Sequence, residues 1–346
     1  MEPWFSETPV NQLGGLGSNK MTSEREISGF MDVSQYIYNG DWIIGRTYDF
    51  DGLGIKFRKY LDKKRSEGFY FTTGSIFNEL KSIKTEKISS DKTDFCFFEV
   101  SAKENHIISD NGEIKVVSRL KLAKKLDLYD IIWKQIEYSE NAKDYQRWHG
   151  YPCVIATDDN DAQMFSDAGG ITCAASGNKS TFVLHGYGMS YATAGSHNML
   201  ATRSSSGSFA ASGANSFIVA AGAGSNFATS GEECELVIDG ADSNIASSGK
   251  ETKINSIGNN AHIVVANEGA RISTDGADNI ISIIGRYGEF SGRKGTHISV
   301  ADFRTDGKCH GFITGCIGEN GLKENTKYTV KSGRFVEVQD QPNGEH

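Results

Sequence analysis

The sequence predicts a mainly β protein: a parallel β-roll, or β-helix solenoid, of nine-residue repeats, with an N-terminal α+β domain and a small C-terminal β cap. Three observations predict it. Glycine returns at multiples of nine residues, at Gly150, Gly177, Gly186, Gly195, Gly213, Gly222, Gly231, Gly240, Gly249, Gly258, Gly276 and Gly285. Five residues after nearly every member of this column stands an apolar side chain, from Ile155 and Met164 through Phe182, Phe209 and Ile245 to Ile281 and Phe290. On either side of residues 150–302 the period is lost, and over 30–149 aromatic and charged residues replace the glycines.

Each unit, numbered from its glycine, reads as one short strand and one turn. Positions four, six and eight share a face because alternate side chains of a strand point the same way. Position six is large, and position four is mostly small, as at Ala162, Gly207, Ser216, Ser225 and Ser243. The glycine is expected to supply the positive φ of a tight turn. Only the last of the seventeen units breaks the pattern, with Ser299 at position six. A single strand cannot bury its apolar side alone, so the units must stack. Two units per coil give two facing walls, with Ile245, Ile263 and Ile281 along one and Ile254, Ile272 and Phe290 along the other. Eight to nine such coils make a roll roughly 40 Å long. Three units per coil, a triangular section, remain open on period alone. The frequent glycines and the two-residue alternation exclude a helical repeat.

Position seven faces outward, yet it reads Ala174, Val183, Ala192, Ala201, Ala210, Val219, Ala228 and Val237 before turning polar at Asn255 and Ser273. A flat strip of small residues suits close packing against another surface, so these eight are the candidate interaction face, for a protein partner or for self-association. Small side chains also suit a tight coil near its corner.

The order of units along the chain is a flexible leader over 1–29, an α+β domain over 30–149, the solenoid over 150–302, a cap over 303–338 and a polar tail over 339–346. In the α+β domain, strands are expected at Phe69–Phe71, Phe95–Val100 and Glu113–Leu120. Helices are expected at Phe57–Lys64, Ile76–Lys84 and Leu122–Glu137. The last has a broad apolar face suited to the first coil, and the domain is expected to cover one end of the roll. In the cap, Lys327–Lys331 and Arg334–Val338 flank Ser332-Gly333 as a β-hairpin that shields the other end from edge pairing.

Composition narrows the function. A net charge of -8 does not favour general nucleic-acid binding. No apolar run is long enough for a membrane span. The start Met1-Glu2-Pro3-Trp4-Phe5 lacks the features of a secretory signal, and six cysteines without regular pairing fit a reducing compartment. The cytoplasm is therefore expected, with export lacking a cleaved signal, or a virion, as alternatives. Position six holds Ile, Phe and Leu where calcium-binding nonapeptides need Asp, so no calcium is expected. Cys309, His310 and Cys316 lack an evident fourth ligand for zinc. The glycine tract contains no phosphate-binding loop, and no cofactor is expected from it.

One enzyme pattern stands beside this. Gly68-Phe69-Tyr70-Phe71-Thr72-Thr73 before an expected helix resembles a strand of some ADP-ribosyltransferases. That resemblance implies NAD as cofactor, Arg46 on its phosphates, Tyr70 beside nicotinamide, and Glu99 or Glu113 on a ribose hydroxyl. A buried aromatic strand accounts for the same residues.

Across the whole chain, Gly45-Arg46-Thr47-Tyr48, Gly68-Phe69-Tyr70-Phe71, Ala228-Thr229-Ser230-Gly231 and Gly333-Arg334-Phe335-Val336-Glu337-Val338 occur in this order. In them the chain resembles an uncharacterised family of bacterial and phage-associated proteins. That family has an N-terminal domain with a GFHF-like strand, ATTG-containing nonapeptides and a GKFVEV-like ending. The resemblance implies a mobile-element or host-interaction setting and brings no catalytic residues. The leading expectation is a non-enzymatic binding or structural scaffold. An ADP-ribosyltransferase-like toxin or effector and a phage particle component are the alternatives.

Overall fold

The computed structural model describes residues 25–33, 36–57, 68–74, 97–149 and 154–338. The expected helix at 76–84, nearly all of that at 57–64, most of the leader and the tail lie outside these residues.

A parallel β-solenoid of about eight turns runs from residue 146 to 300. Its strands fall into two walls. One holds Gln163–Ser166, Thr181–Leu184, Met199–Thr202, Phe217–Ala220 and onward to Glu289–Ser291; the other holds Val154–Thr157, Thr172–Ala175, Ser190–Thr193 and onward to His297–Phe303. Neighbouring strands in a wall are offset by 18 residues, as in Phe209↔Phe227 and Phe227↔Ile245. Two units therefore close one coil, and the triangular section does not occur. The first wall already begins at Gln146–Trp148, which pairs in parallel with Met164 to Ser166.

The core between the walls is one large residue thick per strand. Phe182, Leu200, Phe227, Leu236, Ile263 and Ile281 are all at most 2% exposed. Like side chains stack along each column, and the rings of Phe209 and Phe227 lie 5.2 Å apart at 17°. Several polar interior side chains bond to the coil edges. Asn198 Nδ2 donates to the carbonyls of Gly177 (3.0 Å) and Gly195 (2.9 Å), while its Oδ1 accepts from the Ser180 amide (2.8 Å). One side chain thus bonds the turns of successive coils, which offsets the cost of burying its amide.

The repeat glycines have a different cause from the one expected. Among the described residues, none of those at column one has positive φ. A Cβ on Gly195, Gly213, Gly231 or Gly249 would fall 1.8–2.2 Å from the carbonyl oxygen of the residue 18 positions earlier. Column one is thus where backbone meets backbone between coils. The left-handed residue is position three, filled by Asp161, Lys179, His197, Asn215, Asp242 and Asn260 as readily as by Gly170, Gly188 and Gly224. The break at Ser299 is also resolved. Ile280 pairs with His297, an offset of 17, so the last coil is one residue short. Ile298, 3% exposed, then takes the inward position and Ser299 stands outside beside Ser282.

The N-terminal domain is an antiparallel sheet in the order Thr47–Asp49, Arg119–Leu126, Phe97–Lys103, Glu26–Asp32, Phe69–Thr72, Ile114–Val117, Ile107–Asp110. One face closes a core of Met31, Tyr48, Phe69, Phe71, Val100 and Leu122. The stretch expected as a helix from Leu122 divides. Up to Leu126 it is strand, because Leu120 and Leu122 alternate with exposed Arg119, Lys121 and Ala123. The helix α1 spans Leu128–Asn141 and is opened by Asp127, whose carboxylate accepts from the Asp130 amide at 2.7 Å. It packs against the first coil at Gln163–Ser166, as expected, and reaches on to Thr181–Leu184 and Met199–Thr202. It lies along the side of the roll, where Ile131, Ile132 and Ile136 share one core with Phe97, Leu126, Phe165, Val183 and Val219.

At the C-terminal end, Tyr328–Lys331 and Arg334–Glu337 form a hairpin whose turn residues Ser332 and Gly333 have φ of 50° and 78°. The rings of Tyr328 and Phe335 pack on Phe290 at 5.9 and 5.5 Å, which covers the last inward residue of that wall.

The glycine column can be tested by a matched pair. Gly231→Ala, meeting a carbonyl oxygen at 2.2 Å, is expected to cost about 3 kcal/mol in urea unfolding, since backbone cannot move aside. Gly224→Ala, at a left-handed position with its nearest neighbour 3.8 Å away, is expected to cost only about 1 kcal/mol. Equal losses would remove the close-approach explanation.

Candidate interaction face

Because successive units alternate between walls, the position-seven series splits into two strips. Val183, Ala201, Val219 and Val237 fall on the wall facing α1 and are at most 4% exposed. Ala174, Ala192, Ala210 and Ala228 fall on the other wall and are all exposed. We call the two the covered wall and the open wall.

At its rim the covered wall is joined to α1 by an aromatic and cationic cluster. The Arg203 guanidinium lies 3.9 Å from the Tyr129 ring centroid and 4.6 Å from that of Trp133, and it donates to the Tyr129 hydroxyl. Trp133 meets the His185 ring edge-on at 5.4 Å. Burial, and then the Arg203 charge, push the His185 pKa below its ordinary value, against an opposing pull from Asp167. The protonated ring is therefore the disfavoured form within this seam.

On the open wall, Ala156, Ala246 and Val264 extend the alanine strip to seven consecutive strands, about 29 Å of roll. Thr172, Ser190, Ser208, Asn226 and Asn244 line one side of it; Ser176, Ala194, Ser212, Ser230 and Ser248 line the other. The Asn226 and Asn244 side chains bond to one another at 3.0 Å across coils. No Lys, Arg, Asp or Glu occupies the outward strand positions from Val154 to Ser282 on this wall. A surface of that kind fits a dry, close contact with another flat protein surface.

Of the four residues of the transferase pattern, Arg46 stands apart from Tyr70, while Glu113 lies beside the strand that holds Tyr70. Arg46 is exposed, with its guanidinium 5.3 Å from the Tyr48 ring. It precedes the sheet-edge strand Thr47–Asp49, and three strands separate that edge from Phe69–Thr72, which holds Tyr70. Four strand spacings make about 19 Å. The Tyr70 amide donates to the Tyr36 hydroxyl at 2.7 Å. Glu99 lies opposite Phe30 in register, two strands from Tyr70. Glu113 accepts from the Tyr138 hydroxyl at 3.2 Å, and burial, with the Glu113 charge next, raises the Tyr138 pKa to about 12. Arg46 and Tyr70 are thus not brought to one site. Cys309 donates to the Gly311 carbonyl, and the His310 imidazole pairs with Asp306 at 2.8 Å.

The seam residues Tyr129, Trp133, His185 and Arg203 escaped the sequence reading. His185 and Arg203 both sit at position nine, which has no shared character along the roll, so only their meeting with α1 reveals them. No family model, curated protein or solved structure matches this chain.

Two pH effects are expected. For His185, the unfolded state binds the proton more tightly, so stability should fall as pH drops through about 6.5 and level off below the folded value. His185→Gln should flatten that limb of the stability–pH curve; an unchanged limb would place the titration elsewhere. Asp275 is opposite in sign. Burial raises its pKa to about 6, against a lowering by Arg293. Its stabilising effect is therefore full below the ordinary value of 3.8 and is lost as pH rises to about 6. Asp275→Asn should gain about 1 kcal/mol at pH 8, discounted for partial exposure, and nothing near pH 3.

Proposed function

We propose that this chain is a non-enzymatic binding or structural scaffold, in which a rigid roll presents its open wall to a protein partner or to another copy. One observation carries the reading. The same repeat position forms two strips, and the chain covers one with its own amphipathic helix while leaving the other exposed along seven strands. The covered strip supplies an internal example of what such a surface does when a partner is present: it is buried against Ile131, Ile132 and Ile136 of α1. An uncharged strip rimmed mostly by Ser, Thr and Asn, with Asp158 at its first strand and His262 near its last, has little desolvation cost, which supports a protein contact over an ionic one. A phage or mobile-element setting belongs to the same proposal and rests on the family resemblance. Function in the cytoplasm, or in association with a virion, goes with it.

The test is a triple substitution on the open wall, Ala192→Lys, Ala210→Lys and Ala228→Lys, compared with the parent chain. Circular dichroism and melting should be almost unchanged, because these side chains point outward. Retention of specific partners in parallel captures, or the self-assembled mass, should fall at least tenfold. Identical capture profiles and identical mass with a folded variant would overturn the open wall as the binding face.

A further inference from the structure

The strands of the roll are four residues long or shorter, but the last coil overruns this length. His297–Phe303 spans seven residues and its antiparallel neighbour Cys309–Cys316 spans eight. The latter is the terminal strand of the open wall. Its residues from Cys309 to Phe312 are all exposed, and Phe312 is 51% exposed. With one neighbour among the described residues, alternate residues of this strand turn their N–H and C=O groups outward.

Three other sheet ends carry charges, and the opposite end of the open wall, Val154–Thr157, is uncharged but only four residues long. The covered wall ends in Arg334–Glu337, where Lys323 Nζ lies 2.9 Å from Glu337. The N-terminal sheet ends at Thr47–Asp49, with Asp49 2.7 Å from Arg119, and at Ile107–Asp110, with Asp110 2.5 Å from Lys115. Charged side chains on an edge oppose strand addition. Cys309–Cys316 reads Cys-His-Gly-Phe-Ile-Thr-Gly-Cys and has no Lys, Arg, Asp, Glu or Pro. It is a long edge without that protection.

We infer that this edge pairs antiparallel with the same edge of a second copy, joining two open walls into one sheet. A strand paired with itself about a two-fold axis is its own complement, so one exposed edge suffices to make a closed dimer. Register points to the contacts. Ser299 pairs with Ser282 on the outer surface and with Thr314 across the last turn, so Thr314 and Phe312 face outward, while Ile313, opposite Val300, faces inward. An axis at Phe312 sets that ring beside Phe312 of the second copy, flanked by two His310–Thr314 pairs. Aromatic cross-strand pairs of this kind stabilise an antiparallel ladder. The contact uses the end of the roll and leaves the alanine strip free, so it stands apart from the partner-binding reading above.

The test is sedimentation of the full chain over a concentration series. The expected result is a shift from 37.7 kDa to twice that mass. Phe312→Lys with Thr314→Lys, both outward on an exposed strand, should return the chain to a monomer with an unchanged melting curve. As a second readout, Phe312→Cys with Cys309→Ser and Cys316→Ser should form a covalent dimer under mild oxidation, because paired Cα atoms lie about 5 Å apart. A parent chain that stays monomeric throughout overturns the inference and leaves the edge for an extended segment of another protein. So does a dimer that survives the two lysines but is lost on Ala192→Lys, Ala210→Lys and Ala228→Lys, since that dimer joins through the strip.

Discussion

The close approach of one coil to the next is the constraint on which the rest depends. Parallel strands in adjacent coils hydrogen-bond only if the connecting corners also stack. At column one the corners meet backbone to backbone, with a carbonyl oxygen occupying the place of a Cβ. Glycine is required there by space, and the left-handed turn is delegated to position three, where Asn, Asp, His and Lys are tolerated. With the corners held in register, each strand inherits the same inward residue as its neighbour. The interior becomes a set of continuous columns, of which the Phe209–Phe227 stack is one rung.

That strict register also builds the outer surfaces. A column of identical positions on the outside of a wall is flat because its backbone is flat, and its chemistry is whatever the repeat places there. On the covered wall the column is Val and Ala, and α1 lies on it as helices lie on sheets, with its isoleucines inward and the Arg203, Tyr129 and Trp133 cluster at the rim. On the open wall the column is nearly all alanine, flanked mostly by hydroxyls and amides. The roll is thus a two-sided object, with one side used to hold its N-terminal domain and one side presented.

Legibility differed sharply between parts of the chain. Period nine, with Ile, Phe or Leu at position six, specified the roll, because a repeated contact leaves a repeated residue. The N-terminal domain leaves no such trace. Leu120, Leu122, Leu126 and Leu128 satisfy a strand up to Leu126 and a helix from Leu128, and local spacing does not locate the change at Asp127. Ser299 looked like a broken unit because a one-residue deletion in a corner is silent in the sequence until strand pairing reveals the 17-residue offset. The transferase pattern had the opposite fault: Arg46 and Tyr70 stand in suggestive short motifs, and sheet order sets them at separate strands.

The sequence by itself determined the parallel roll, its apolar interior and the existence of an outward column of small residues, since each follows from alternation within a strand and from repetition between strands. Only the tertiary structure decided that the column is two strips, that α1 covers one of them, and that the glycines serve close packing. The physical reason is that wall assignment, coverage and inter-coil spacing are relations between residues 18 or more positions apart. A one-dimensional pattern records that such residues are alike, while which of them face a neighbour and which face water depends on where the rest of the chain comes to lie.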